Sequence, residues 1–117
     1  MIFDFDKFTE VAASVYNSQF YSFEECLQVF RCYFTTYEHF MGKPHPPIRA
    51  AQIFRIMQEM PYVITEDRGG NYMDVSPEDY KAMIHQHFNT KYRKCDYNIN
   101  HFFSGRIREL RFYETCY

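Results

Sequence analysis

The chain has 117 residues, of which 46 % are hydrophobic and 21 % aromatic, and its net charge is −2. This length predicts one domain, residues 1–117, whose core needs neither a metal nor a disulfide. No apolar run approaches the roughly 20 residues of a membrane span. The first residues lack the basic and apolar regions of a signal peptide, and the four cysteines form no C-x-x-C motif. We therefore expect a cytoplasmic protein with reduced thiols, no cofactor and no membrane contact.

Charge is unevenly spread along the chain. Residues 1–41 contain two basic and six acidic side chains, a net charge of −4, whereas residues 81–117 contain seven basic and three acidic side chains, a net charge of +4. The N-terminal third is thus acidic and the C-terminal third, residues 81–117, is basic. We call residues 81–117 the basic tail, and its charge predicts an anionic partner.

The first two helices are predicted from apolar periodicity and from capping residues. Helix one should run from Asp4 or Asp6 to Gln19, with acidic side chains at its positive end. Helix two should run from Ser22 to Gly42, because Ser22 and Glu25 form a capping box and a glycine suits the C-terminus. Its apolar stripe is wide, so we expect it at the centre of the domain, with these aromatic side chains buried: Phe30, Phe34 and Tyr37.

The middle of the chain predicts one more helix and a hairpin. Helix three should run from Pro47 to Met60, with proline at its first turn and another proline after its end. Its predicted core face consists of Ile53, Ile56, Met57 and Met60. Residues 62–75 contain two short β-forming runs around a Gly-Gly turn, which is typical of a β-hairpin.

The last third predicts two or three helices. Ser76 and Pro77 mark the start of helix four, which should end near Asn89–Thr90 and bury Tyr80, Met83, Ile84, His87 and Phe88. A short fifth helix over residues 97–103 should be capped by Asp96. Residues 106–115 fit helix or strand, and we favour helix. The fold class is thus mainly α (α+β by strict count), a compact helical domain of four to six helices with one small hairpin.

The basic tail is the leading candidate site. It mixes cations that bind phosphate with side chains that stack on bases or form hydrogen bonds with them, a pattern typical of nucleic-acid binding. Helices four and five have the order of a helix-turn-helix, and helices one to three followed by the hairpin have that of a winged helix. The predicted contact residues are Lys91, Tyr92, Arg93, Lys94, Tyr97, Asn98, Asn100, Arg106, Arg108 and Arg111.

A protein-binding surface is the alternative interpretation. Several tyrosines fall outside the core stripes, and exposed tyrosines are typical of interfaces, including those of homodimers; they are Tyr62, Tyr72, Tyr92, Tyr113 and Tyr117. A small motif-free domain of this type resembles, in type only, the orphan proteins of phages and mobile elements, including inhibitors of bacterial defence nuclease complexes. A net charge of −2 is too small for mimicry of DNA by the whole surface, so we expect such an inhibitor or accessory factor to bind a guide RNA or an acidic protein face through its basic tail.

Catalysis and metal binding have weak signals. The sequence has no phosphate-binding loop, no H-E-x-x-H and no nucleophile elbow. His85, His101 and Lys91 supply an acid, a base and a charge for a metal-free ribonuclease, which is the third interpretation. The metal-ligand types form no compact spacing, since His85 and His87 point to different sides of a helix. We therefore expect a non-enzymatic protein without a metal.

Overall fold

The computed structural model describes residues 4–18, 20–65, 71–91, 95–104 and 106–116. These residues form six helices and one hairpin in the order α1 Phe5–Val15, α2 Phe23–Met41, α3 Ala50–Glu59, β1 Tyr62–Thr65, β2 Asn71–Asp74, α4 Pro77–Asn89, α5 Ile99–Phe102 and α6 Ile107–Cys116. The predicted mainly α domain with a small hairpin is confirmed, as is a helix at the C-terminal end. None of the described helices has the length and apolar character to cross a membrane.

Helix α2 lies at the centre of the core, as the sequence predicts. The Ser22 hydroxyl accepts from the Glu25 N–H, and the Glu25 carboxylate accepts from the Ser22 N–H. At the other end Gly42 adopts a left-handed conformation with φ of 70°. The three aromatic side chains expected at the centre are buried: Phe30, Phe34 and Tyr37. Local capping thus fixes the two ends of this helix and burial fixes its face.

Helix α4 packs between α2 and α6. Ser76 caps its start, Pro77 occupies its first turn, and the five side chains predicted for its core face are all buried. Helix α3 likewise buries its four predicted apolar residues. Helix α1 packs on α3 and contacts α2 through ring contacts of Phe8 with Phe30 and Phe34.

Three predicted helix bounds are wrong. Helix α1 ends at Val15 instead of Gln19, because Tyr16 already has an extended backbone. Helix α3 begins at Ala50 instead of Pro47, because the proline-rich residues 44–49 remain extended. Helix α5 is a single turn capped by Asn98, since Tyr97 has a φ of 56°, which breaks a right-handed helix before that point.

The hairpin is antiparallel, with Tyr62 opposite Asp74 and Ile64 opposite Tyr72. Its predicted turn, residues 66–70, lies outside the described residues. Because an isolated two-stranded hairpin is marginally stable, it must be supported from the helices. That support comes from two sides: β1 packs on α6, and the Tyr21 hydroxyl, just before α2, donates to the Val75 carbonyl.

Candidate functional site

Arg108, a predicted contact residue, is turned towards the interior. One terminal nitrogen donates to the Glu59 carbonyl at 2.8 Å, to the Tyr80 hydroxyl at 3.1 Å and to the Tyr62 carbonyl. Its guanidinium also lies 5.4 Å from the centre of the Phe103 ring. The side chain therefore joins α6 to α3, β1 and α4, and its hydrogen-bonding capacity is largely used within the domain.

Arg111 is also internal, whereas Arg106 is exposed. Arg111 is only 6 % exposed, donates to the Thr90 hydroxyl at 2.8 Å and lies 2.8 Å from the Glu114 carboxylate. Arg106 pairs with Glu109 at 3.5 Å while its own side chain remains more than half exposed. Arg106, Arg108 and Arg111 therefore do not line one exposed surface.

The other predicted contact residues divide into three groups. Lys91 is exposed. Tyr97 stacks on Phe88 with ring centres 5.3 Å apart, and Asn98 and Asn100 hydrogen-bond to each other at the start of α5. Tyr92, Arg93 and Lys94 lie outside the described residues.

Helix α5 spans four residues, so it does not have the length that a recognition helix of a helix-turn-helix requires.

The three histidines of α4 and α5 do not form the pair that acid–base catalysis needs. His87 is buried with its ring 6.2 Å from that of His101, whereas His85 is exposed on the other side of α4. His85 and His101 therefore do not converge. Among the described residues, no group of three metal-ligating side chains lies close enough together to hold an ion.

One concave feature of the described residues is a depression of about 640 Å³ that we call the aromatic groove. Its volume lies within the range of ligand-binding sites. It lies where the connection between α1 and α2 meets the base of the hairpin. Its described lining residues are Phe20, Tyr21, Pro61, Tyr62, Tyr72, Asp74, Val75 and Ser76.

Phe20 is 78 % exposed, and the residue that follows it, Tyr21, is anchored in the domain. Tyr21 is buried; its N–H donates to the Ser18 hydroxyl and its carbonyl accepts from the Tyr16 hydroxyl at 2.6 Å. The Tyr21 hydroxyl donates to the Val75 carbonyl. The Gln58 side-chain amide donates to the carbonyl of Asn17, which lies in the same connection. The connection is thus tied to α3 through Gln58 and to the residue after β2 through Tyr21, and Phe20 directly precedes the anchored Tyr21.

The hairpin supplies the other two rings. Since Tyr62 pairs with Asp74, Tyr72 is its diagonal neighbour on the same face of the hairpin. The two rings meet edge to face, with centres 4.9 Å apart and planes at 72°. Tyr72 remains 66 % exposed, so the rings form an outer wall of the groove instead of part of the core.

Negative charge surrounds the groove. Asp74 lines it and is exposed. Two further carboxylates cap the adjacent helices: Glu25 accepts from the Ser22 N–H and Asp79 from the Ser76 N–H. Burial is the main cause that raises the pKa of Tyr21 well above its ordinary value, and the negative charges of Glu25 and Asp79 add to it.

The sequence named two of these rings but not the third. The sequence predicts Tyr62 and Tyr72 as interface residues because they fall outside the apolar stripes of the helices. Phe20 lies in the short connection between two helices and is not among the predicted interface residues. A large aromatic residue in a short connection, with no periodic partner, is the signal that points to it. Aromatic rings around one carboxylate are suited to binding.

Comparison with protein-family models, with curated proteins and with solved structures gives no match for this chain. The proposed function therefore rests on the geometry of the aromatic groove and of the basic tail.

Proposed function

We propose that this is a non-enzymatic binding protein that docks a partner protein in the aromatic groove and acts as an inhibitor or accessory factor, as small phage-type and mobile-element proteins do. The observation that carries the proposal is Phe20, the most exposed large apolar side chain of the described residues, which lines the groove directly before the anchored Tyr21. Together with Tyr62 and Tyr72 it lines one depression, and a contiguous apolar patch of this kind is typical of an interaction site.

Aromatic side chains favour binding for a second reason, because ordering them at an interface costs little conformational entropy. Ordering a flexible side chain at an interface costs about 0.5–1.5 kcal/mol, and a preorganised side chain avoids most of that cost. Phe20 and Tyr72 bring large rings with few rotatable bonds next to the half-buried ring of Tyr62. This combination is typical of the central residues of protein interfaces.

Binding of nucleic acid by the basic tail has less support. Arg108 and Arg111 use their guanidinium groups inside the domain, so of the tail's described basic contact residues Lys91 and Arg106 remain exposed. The groove itself is lined by a carboxylate, which repels phosphate. We therefore treat nucleic acid as an alternative outcome of the experiment below.

The cysteines favour a binding role and a reducing compartment. All four are free thiols, and burial raises the pKa of Cys26 to about 12. Burial also raises the pKa of the other three thiols, Cys32, Cys95 and Cys116. A thiol with a raised pKa is a poor nucleophile at neutral pH. These features fit a non-enzymatic protein of the cytoplasm.

Site-specific photo-crosslinking tests the proposed function. Phe20 is replaced by p-benzoylphenylalanine in the protein expressed in its own cells, and the matched control carries the same group at Phe54, an exposed residue of α3 that does not line the groove. We expect one discrete protein adduct from position 20 and none from position 54.

Two results would contradict the proposal. Equal adducts from both positions would indicate unspecific contact, and no adduct from position 20 would indicate that the groove binds no protein. A nuclease-sensitive adduct at position 20 would favour the nucleic-acid interpretation instead.

A further inference from the structure

We propose that the aromatic groove binds an extended, cationic segment of the partner protein, in which a basic side chain faces Asp74 and an adjacent apolar side chain packs on Phe20 and Tyr72. This inference rests on the proposed function and names the chemistry of the partner. Three observations carry it: the shape of the groove, the charges around it, and the poor fit of the other occupants.

The shape of the groove suits an extended chain. A volume of about 640 Å³ accepts a few side chains and is too small for a whole domain face. Phe20 and the Tyr62–Tyr72 pair present exposed rings beside one another, and such rings accept an aliphatic side chain or a cation over the ring face. Alternate side chains of an extended segment would contact the rings and the carboxylate in turn.

The charges suit a basic segment. Asp74 lies in the groove, and none of the described lining residues is basic. Helices α2 and α4 both begin beside it, and each brings two acidic side chains in its first turn: Glu24, Glu25, Glu78 and Asp79. Each helix start contributes roughly half a positive charge. Glu78 is neutralised by Lys81 at 3.4 Å, and Glu24 lines a separate depression. The remaining carboxylates of Asp74, Glu25 and Asp79 still exceed the contribution of the two helix starts.

The same charges disfavour the other occupants. Nucleic acid would bring its phosphates against Asp74 and the acidic helix starts. A second copy of the chain in a symmetric dimer would place the same patch on both sides of the contact, so acidic groups would face acidic groups. A basic peptide segment of another protein avoids both conflicts.

Peptide binding by fluorescence anisotropy tests this inference on the full chain. The probes are a short labelled peptide that alternates arginine with leucine and a matched peptide that alternates glutamate with leucine. We expect the cationic peptide to bind at least about fivefold more tightly, with a difference that shrinks as salt is added. Phe20→Ala and Tyr72→Ala should weaken its binding by about tenfold or more.

Charge reversal supplies the sharper comparison. Asp74→Lys should remove or reverse the preference for the cationic peptide, and the milder Asp74→Asn should reduce it with less effect on the hairpin. Glu10→Lys, which makes the same reversal at an exposed site on α1, and Phe54→Ala are the matched controls and should bind as the unmodified protein does. Circular dichroism confirms that each variant is folded.

Four results would overturn the inference. They are equal binding of both peptides, no binding of either, an unchanged preference in Asp74→Lys, and self-association or oligonucleotide binding that Phe20→Ala abolishes. The first three leave the proposed function standing if a protein adduct still forms at position 20. Absence of that adduct would instead remove the proposed function itself.

Discussion

At the scale of the residue, His45 shows how a buried polar side chain can organise a proline-rich connection. Its ring is surrounded by aromatic rings, with that of Tyr37 at 4.6 Å. Nδ1 lies 2.7 Å from the Pro46 carbonyl and Nε2 accepts from the Ile99 N–H at 2.9 Å. These contacts need a neutral ring with its proton on Nδ1, and burial lowers the pKa of His45, which favours that form.

His87 is the second buried histidine, and its burial confirms the prediction that it belongs to the core. It lies among the rings of Phe88, Tyr97 and Phe102. Burial lowers its pKa to about 3, and the positive charge of Arg111 adds to this effect. Both histidines therefore bind a proton less readily in the folded chain than in the unfolded one.

We expect acid to destabilise the protein partly through these two residues. Below about pH 6.5, the ordinary pKa of histidine, the unfolded chain takes up protons that the folded chain does not. The free energy of unfolding should therefore fall as the pH falls, by up to about 1.4 kcal/mol per pH unit for each histidine, and for His87 this continues to about pH 3. Urea unfolding at a series of pH values measures this slope.

The variant His87→Phe isolates one contribution to that slope. It keeps an aromatic ring and removes the titrating group, so stability should depend less steeply on pH between about 6.5 and 4. His39→Phe, at an exposed site on α2, is the control and should leave the slope unchanged. The same slope in His87→Phe and in the unmodified protein would refute this assignment.

At the scale of the element, the helices fall into two kinds. Helices α2 and α4 begin at a serine with a reciprocal capping box and with acidic side chains in the first turn, so their starts are defined locally. Helices α3 and α5 also have a capping side chain at their start, Gln52 and Asn98, but a long-range hydrogen bond of His45 additionally ties the connection before α3 to the start of α5. Capped helix starts can be predicted from the sequence, and ends that depend on distant residues cannot.

Removing a cap tests this division. Ser22→Ala eliminates the hydroxyl that accepts from the Glu25 N–H, and we expect the free energy of unfolding to fall by about 1 kcal/mol. Ser14→Ala, within α1, is the matched control and should be neutral or slightly stabilising, because alanine is the better helix former there. Equal effects of the two substitutions in thermal unfolding would argue against the cap.

At the scale of the whole molecule, Arg108 connects elements that are far apart in the sequence. It contacts the end of α3, the start of β1 and the middle of α4 from its position in α6. These contacts hold the hairpin against the helices and so help to place Tyr62 in the aromatic groove. The prediction of this residue as a phosphate contact used only its charge.

Arg108→Ala should therefore act on stability. It removes charge-assisted hydrogen bonds to partly buried carbonyls, and we expect a loss of about 2–3 kcal/mol in the free energy of unfolding. Arg55→Ala, at an exposed site on α3, should change it by less than about 0.5 kcal/mol. Chemical denaturation of the two variants measures the difference. If Arg108 served instead to contact phosphate, Arg108→Ala would leave the free energy of unfolding unchanged.

The sequence by itself determined the helical class, the hairpin and the core face of α2, because periodicity and capping act between residues a few positions apart. It also identified Tyr62 and Tyr72 as residues outside that core. Only the tertiary structure decided which arginines face inward and that Phe20 and the hairpin line one groove, because these arrangements join residues about 20 to 50 positions apart. Such contacts depend on how the elements pack together, and packing is a property of the whole chain that no local pattern contains.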